Sequence, residues 1–415
     1  MTPSRRQLLL AAAATPLLAT PGLLRAAEPD LSALRPLPAP PPIDRAERAR
    51  RLAQAQRLMR RRGIGAVVIE PGSSMLYFTG VRWSRSERPT LAILPVEGEP
   101  CIVTPFFEEP SIRETLAVPA TVRVWQEDES PFAVVAGFLR DRKLSGRLLG
   151  VEETVRFFIT DGLAQATGRP PVSANPIVRG CRMIKTPAEI AQMQAATDAT
   201  IAAYRWTYPR VEAGMTGPDV GALMNAATRK LGGVPEFALV LIGEASAYPH
   251  GSKEVHRVAR GQVVLMDCGC NVGGYQSDVS RTWAHGGGGP RGFETVWDRM
   301  RRGQQIAFNA ARIGVSAGSV DDEVRGFYEG QGYGPDYRLP GLSHRTGHGI
   351  GMDGHEPVNL VRGERTPLAP GMCFSDEPGI YLPGRFGVRL EDCFHMTEQG
   401  PRWFSTPPTG ADAPV

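Results

Sequence analysis

Cysteine is sparse in this chain. Six cysteines (101, 181, 268, 270, 373 and 393) are spread over 415 residues, and none forms a C-x-x-C pair. Cys268 and Cys270 stand two apart in an expected strand, so they share a face and make a poor disulfide. Buried free thiols are the expectation, and a chain this long buries enough core to need no disulfide or zinc staple. No charge of one sign dominates. The formal net charge is +4, and Arg5, Arg6 and Arg25 account for three of it, leaving +1 for the rest. That balance gives no reason to expect nucleic acid as a partner. Long apolar runs are missing too: the stretch from Leu8 to about Ala19 is too short to span a bilayer, so no stable membrane anchor is expected. HExxH is absent, because His355-Glu356 is followed by Pro-Val-Asn. The four glycines at 286–289 follow an expected strand without a Lys-Ser/Thr, which makes them a turn rather than a phosphate loop.

What is present begins with an export signal. Paired Arg5 and Arg6 precede the apolar run in "SRRQLLLAAAATPLLAT", so residues 1–27 read as a twin-arginine secretory signal and place the mature protein in the periplasm. Residues 28–44 are proline-rich and read as an extended linker. A mixed α/β block follows over 45–178. It has a helix from Asp44 to about Arg62 that stops at Gly63, a strand at "GAVVIEP", a hairpin from "LAILPV" and "CIVTPF", and a further strand at "TVRVW". No catalytic cluster is legible in it.

A second domain, over 179–405, announces itself just after Lys185. Thr186, Pro187 and Glu189 supply an N-cap, a proline at the first helical position and a carboxylate two residues on, and the same logic recurs from Thr216 to Gly232. Strands at "FALVLIG", "QVVLMDCGC" and "YQSDVSRTW" come next. Two more helices (about 292–312 and 320–328) and strands around "CFSDEPGIYL" and "GVRLEDCFHM" repeat the order. Helix, helix, strands, twice over, is the pattern of a duplicated unit. Residues 406–415, "TPPTGADAPV", read as a disordered tail.

Acids are out of place in these strands. Asp267 ends "VVLMD", Asp278 sits inside "YQSDVSRTW", Glu377 stands in "FSDEPGIY" and Glu391 closes "GVRLE". Buried carboxylates repel one another unless a cation neutralises them. With an imidazole from "GHGIG" they make a hard, oxygen-rich set suited to two divalent ions.

The motifs "YPHGS", "LMDCGCNVGGYQSD", "HRTGHGIGMDGHEP", "SDEPGIY" and "VRLED" are spread over the C-terminal domain. Together they resemble the pita-bread metallopeptidases, the M24 family of methionine aminopeptidase, prolidase, aminopeptidase P and creatinase. The N-terminal block is similar to the smaller domain of the prolidase and creatinase branch. The fold this implies is α+β: a C-terminal pita-bread catalytic domain preceded by a smaller mixed α/β creatinase-like domain. The activity implied is hydrolysis of the Xaa-Pro bond, in dipeptides or at the N-terminus of longer peptides, by hydroxide generated at a pair of metals. Manganese is the expected metal, with zinc, cobalt or iron as alternatives.

Carried over residue by residue, the resemblance makes Asp267, Asp278, His348, Glu377 and Glu391 the metal ligands, with Asp278 and Glu391 bridging. It makes Glu377 also a proton shuttle for the attacking water, and turns His250 and His355 toward the substrate as catalytic groups. His344, Tyr381 and Arg389 fall beside the ligands or the substrate, and Arg389 either holds Glu391 or binds a carboxylate. The glycines at 347, 349 and 351 are expected to permit tight turns. Ser280 replaces a threonine common in the family. Peptide substrate and a homodimer are the expected partners. Two other readings remain on the same fold. One is a non-peptidase enzyme, a metal lyase or amidinohydrolase acting on a small zwitterion. The other is a binding module that has lost its metal, against which the intact ligand set argues.

Overall fold

The computed structural model describes residues 29–415, and the expected export signal at 1–27 lies outside the described residues. The first helix, Arg45–Arg62, starts where Asp44 accepts the N–H of Glu47 and stops at Gly63, whose φ of 69° is open to glycine. It packs on a six-stranded sheet in the order Thr121–Trp125, Cys101–Pro105, Leu91–Pro95, Ile64–Ile69, Leu148–Val151 and Val172–Ser173. The central strand Ile64–Ile69 is buried at every position, which is why it reads as an unbroken apolar run. The hairpin of Leu91–Pro95 and Cys101–Pro105 pairs antiparallel as its turn sequence predicts.

Residues 175–182 form one continuous helix across the expected boundary at 178, so the chain passes to the second domain after Arg182. There, Thr186 and Glu189 form the predicted capping box at the head of Pro187–Thr207, and Thr216 and Asp219 form another at Gly217–Leu231. These helices cover an antiparallel sheet of Val234–Ile242, Val263–Val272 and Val279–Ala284. The order then repeats. Phe293–Ala310 and Ala317–Gly330 cover a five-stranded sheet of Glu356–Leu360, Gly347–Gly349, Cys373–Asp376, Asp392–Thr397 and Gly400–Trp403. The ribbon Gly379–Leu382 with Phe386–Arg389 stands off it. Each half has its own apolar core, one around Tyr204, Met266 and Trp283, the other around Trp297, Phe374 and Phe394. A backbone pairing between Ser280 and Glu391 joins the two sheets.

Two expectations fail. Residues 29–44 have almost no regular structure but are not a free spacer. Leu31, Leu34 and Leu37 pack on the first half-core, and the Leu37 N–H donates to the Leu231 carbonyl. The end of the chain is ordered by the same surface: Val415 packs there, Ala411 is buried against the other core, and Gly410 pairs with Ala413. Scattered apolar residues among the prolines gain more from burial than the short segments lose in entropy. All six cysteines are buried and unbridged. No helix among the described residues is long and apolar enough to cross a membrane.

The domains meet over buried ions. Arg51, on the first helix, lies 3.3 Å from Glu189 at the head of Pro187–Thr207, donates to Tyr275 Oη at 2.9 Å and caps the Tyr77 carbonyl at 3.0 Å. Tyr275 in turn donates to Glu189. Removing one member of such a set strands the others in a dry interface. Arg51→Ala is expected to lower stability by about 3 kcal/mol, measured from urea unfolding. A loss below about 1 kcal/mol, the worth of an exposed pair, would show that water replaces the guanidinium freely.

Candidate metal centre

Strand breaks, more than strands, place the acids. Asp278 falls between Tyr275–Gln276 and Val279–Ala284, Glu377 between Cys373–Asp376 and Gly379–Leu382, and Glu391 between Phe386–Arg389 and Asp392–Thr397. Asp278 is thus not inside a continuous strand, as the alternating pattern implies. A residue at a break is freed from the strict in-out alternation, so its carboxylate can turn toward a shared centre. Asp267 does not end its strand but stands in the middle of Val263–Val272, directly opposite Ser280, which is itself paired with Glu391. Asp267, Ser280 and Glu391 therefore form one row across adjacent strands.

The glycines of "GHGIG" act by size rather than by turning. Gly347 and Gly349 lie in a short strand, and none of 347, 349 and 351 has a positive φ. A β-carbon on Gly347 would stand 2.1 Å from the Ser375 carbonyl oxygen, and one on Gly349 would stand 2.5 Å from that of Glu356. Only bare backbone lets the neighbouring strands close around His348. The Ser375 hydroxyl accepts the His348 backbone N–H at 3.0 Å.

Six residues bring donor atoms together in overlapping groups: Asp267, Asp278 and Glu391; His348, Glu377 and Glu391; Asp278, His348 and His355. Within each group one atom per residue lies within 4.8 Å of the others. His348 Nδ1 faces the Gly349 carbonyl at 3.0 Å, so Nδ1 carries the proton and donates. Nε2 then points at Glu377 Oε1 (3.2 Å) and Asp278 Oδ2 (3.7 Å). An imidazole lone pair aimed at two carboxylates calls for a positive charge between them. Asp267 Oδ1 and Glu391 Oε1 are buried with no protein partner, which leaves them free to bind a cation at the shared centre. Burial and then the neighbouring carboxylates push Asp278 and Glu391 well above the usual carboxylate range. Burial opposes ionisation of Glu377 as well, but positive charge beside it, on the His348 ring when protonated and on Arg389 throughout, holds its carboxyl down. Four acids face a single guanidinium, and the donor chemistry fits divalent cations.

Arg389 is that guanidinium, buried at 3% exposure. It donates to Asp267 Oδ2 (2.6 Å), Ser280 Oγ (2.9 Å), Tyr381 Oη (3.2 Å) and the Pro249 carbonyl (3.3 Å). Ser280 Oγ donates onward to Glu391 Oε2 at 2.8 Å. Of the two roles left open for Arg389, holding ligands is the one its contacts satisfy: Asp267 directly, Glu391 through Ser280. Tyr381 Oη lies 2.8 Å from His344 Nε2, while His344 Nδ1 faces the Arg345 carbonyl. The Tyr381 hydroxyl therefore donates to a neutral imidazole, whose pKa burial lowers.

His355 lies at the rim, exposed, with its ring 4.1 Å from that of His348. Burial of part of the ring, with the charge of Arg345 adding to it, lowers its pKa to about 4, so it is neutral at neutral pH. His250 is exposed on the turn after Gly243–Ala247 and belongs to none of the donor groups. Its turn is tied to the centre through the Pro249 carbonyl.

Sequence reading passed over the supports. Ser280 was legible only as a conservative exchange, although strand alternation puts it on the face of Thr282, whose Oγ1 donates to the Arg389 carbonyl. Arg281 points the other way, into a buried pair with Asp392 at 2.7 Å. No spacing rule signals Ser375.

The profile of metallopeptidase family M24 matches residues 191–398, and that of the creatinase/prolidase N-terminal domain matches residues 51–184. The chain is 34% identical over 358 residues to a probable dipeptidase PepE of Mycobacterium tuberculosis, covering 85% of this chain and 92% of that protein. It is 30% identical over 337 residues to an Xaa-Pro dipeptidase of Lactobacillus helveticus, covering 79% and 89%. The crystal structure of dipeptidase PepE from Mycobacterium ulcerans superposes with a TM-score of 0.81 at 32% identity, covering 89% of this chain and 98% of that one.

Ser280→Ala cuts the link from Arg389 to Glu391 and is expected to weaken metal affinity about 10–100-fold in a chelator competition; unchanged affinity would show that the hydroxyl is dispensable. A second prediction concerns pH. Folded apoprotein holds protons on Asp278 and Glu391 at pH values where the unfolded chain has released them, so its stability falls as pH rises past the ordinary carboxylate range. Metal removes that repulsion. The gain in melting temperature on adding manganese should grow between about pH 4 and pH 8, and a gain independent of pH would contradict the assignment.

Proposed function

Because this chain belongs to metallopeptidase family M24, with a creatinase/prolidase domain ahead of the catalytic one, we propose that it is a dinuclear Xaa-Pro dipeptidase. The observation that carries the reading is the convergence of Asp267, Asp278, His348, Glu377 and Glu391, with His355 at the rim. These five residues would hold two divalent ions, manganese by the preference of an oxygen-rich site. When bound they supply Lewis acidity to the scissile carbonyl and make water a nucleophile at neutral pH. The protein does the rest. Glu377, whose carboxyl stays ionised, takes the proton released by the attacking water and passes it to the leaving proline nitrogen. Neutral His355 donates one N–H to the carbonyl oxygen as negative charge develops on it, and His250, exposed on the turn after Gly243–Ala247, is the second substrate-facing imidazole of this reading. Arg389 is committed to Asp267, Ser280 and Tyr381, so it orients ligands instead of reaching for substrate.

The preference for dipeptides rests on the relatives, one a probable dipeptidase and the other an Xaa-Pro dipeptidase, each matched over most of its length. The paired arginines at residues 5 and 6 support export to the periplasm by the twin-arginine route, and a homodimer is the assembly we propose. Neither a nucleic acid nor a membrane anchor enters this reading.

The test is direct. The mature protein, loaded with manganese, is offered Ala-Pro and Ala-Pro-Ala, and free alanine is followed by mass spectrometry. Release mainly from Ala-Pro is expected. Release from the tripeptide alone would reassign the protein as an aminopeptidase. No release from either, with two metals bound, would overturn the peptide reading.

A further inference from the structure

The loop that carries His355 has no regular structure to hold it. Residues 351–355, Gly-Met-Asp-Gly-His, form no helix or strand, and two of the five are glycine. Behind the loop lies a cavity of 370 Å³ between the domains, walled by Arg182, Asp353, His355 and Glu356, so side-chain packing does not fix it from that side.

Gln276 holds the loop's first turn by the Gly351 and Met352 carbonyls, and Met352 packs into the core; the backbone N–H groups nearest His355 are held by Glu356. This residue opens the strand Glu356–Leu360 and is 5% exposed. Its carboxylate turns back under the loop and accepts the backbone N–H groups of Met352 (2.9 Å) and Asp353 (3.2 Å). Gly351 makes the room: a β-carbon there would stand 2.8 Å from both Glu356 oxygens and from Lys185 Cε. Two cations from the connection between the domains meet the same carboxylate. Lys185 Nζ lies 3.1 Å from Oε2, and Arg182 Nη2 donates to Oε1. Arg182 also holds Asp353 Oδ2 at 2.7 Å and Ser74 Oγ at 2.9 Å, and Ser74 donates to Glu152 in the N-terminal domain. Ser73 donates to the other oxygen of Asp353. The whole loop is thereby tied to the smaller domain by charge-assisted hydrogen bonds, the strong class.

We propose that Glu356, clamped by Arg182 and Lys185, is the positioning residue for His355, and that docking of the N-terminal domain sets the catalytic geometry. Glu356 touches no reacting atom. It fixes the backbone from which His355 reaches the rim, and the smaller domain, which lacks any catalytic cluster among its described residues, contributes to the reaction through it. The proposal rests on the reading of His355 as a substrate-facing group, and it deepens that reading.

The experiment compares Glu356→Gln, Arg182→Ala, Arg182→Lys and Gly351→Ala in the full chain. Metal content, kcat and KM on Ala-Pro are measured, together with the imidazole nitrogen resonances of the zinc-loaded, ¹⁵N-histidine-labelled protein. Glu356→Gln, Arg182→Ala and Gly351→Ala should each keep both metals and lower kcat about 10–100-fold, the effect of a misplaced catalytic group. KM should move by less than about threefold, a kcat loss without a binding loss. Arg182→Lys should recover part of the loss. The His355 resonances should shift while those of remote His395 stay. Full kcat in both Glu356→Gln and Arg182→Ala, or losses that only track lost folded protein or lost metal, would overturn the proposal. If the unaltered enzyme releases no alanine from Ala-Pro, the substrate reading has failed. The clamp is then judged on the resonances: movement of His355 in Glu356→Gln sustains it, and a stationary signal overturns it.

Discussion

Four carboxylates gathered around one imidazole nitrogen, with one buried guanidinium among them, set the conditions for everything else in the catalytic domain. Asp267, Asp278, Glu377 and Glu391 cannot all ionise in so small a buried volume without added positive charge. Arg389 supplies part of it and does so rigidly, spending its N–H groups on Asp267, Ser280, Tyr381 and the Pro249 carbonyl. The remaining deficit is what makes the site a receptor for cations. A centre of this kind is unfavourable when empty, and the surrounding fold must be stable enough to hold it open.

The duplicated architecture provides that stability. Each half contributes two helices, a sheet and an apolar core of its own, and the halves meet at the backbone pair of Ser280 and Glu391. The seam between two rigid sheets is where strands end and restart, so it is where Asp278, Glu377 and Glu391 can leave the strand alternation and face one another. Breaks that would weaken a single sheet are tolerated because the cores on either side carry the packing. The bare backbone of Gly347 and Gly349 lets the strand bearing His348 approach its neighbours closely enough to complete the set.

The smaller domain is joined to this frame through buried ions. Arg51 reaches Glu189 and Tyr275, and Arg182 and Lys185 reach Glu356. Burial by itself would keep Glu356 protonated, yet Lys185 and then Arg182 hold its carboxyl down at about 2. The unfolded chain protonates this group near the ordinary glutamate value. The stabilisation from the pair is therefore complete above that value and is lost only as pH falls toward 2. A hydrophobic interface would hold the domains together equally well, but it would not present a fixed charge beneath the loop of His355.

Much of this was legible in the chain itself. The capping boxes at Thr186 and Thr216 marked the helices because cap chemistry is local, and the alternating and unbroken apolar runs marked the strands because burial has a period. The acids of the candidate centre were legible because carboxylates in strands are rare enough to stand out, while their individual roles came from the family resemblance. Local sequence could not say that "YQSDVSRTW", "CFSDEPGIYL" and "GVRLEDCFHM" each break at the acid, since the break is imposed by a partner sheet far away in sequence. Nor could it show that residues 29–44 and 406–415 lie on the surface of the cores, because their few apolar side chains carry no period. Ser280, Ser375, Arg182 and Glu356 acquired their roles only when distant segments came together. A hydroxyl or a charge states its chemistry in the sequence, but its partner is chosen by proximity, and proximity is decided by the tertiary fold.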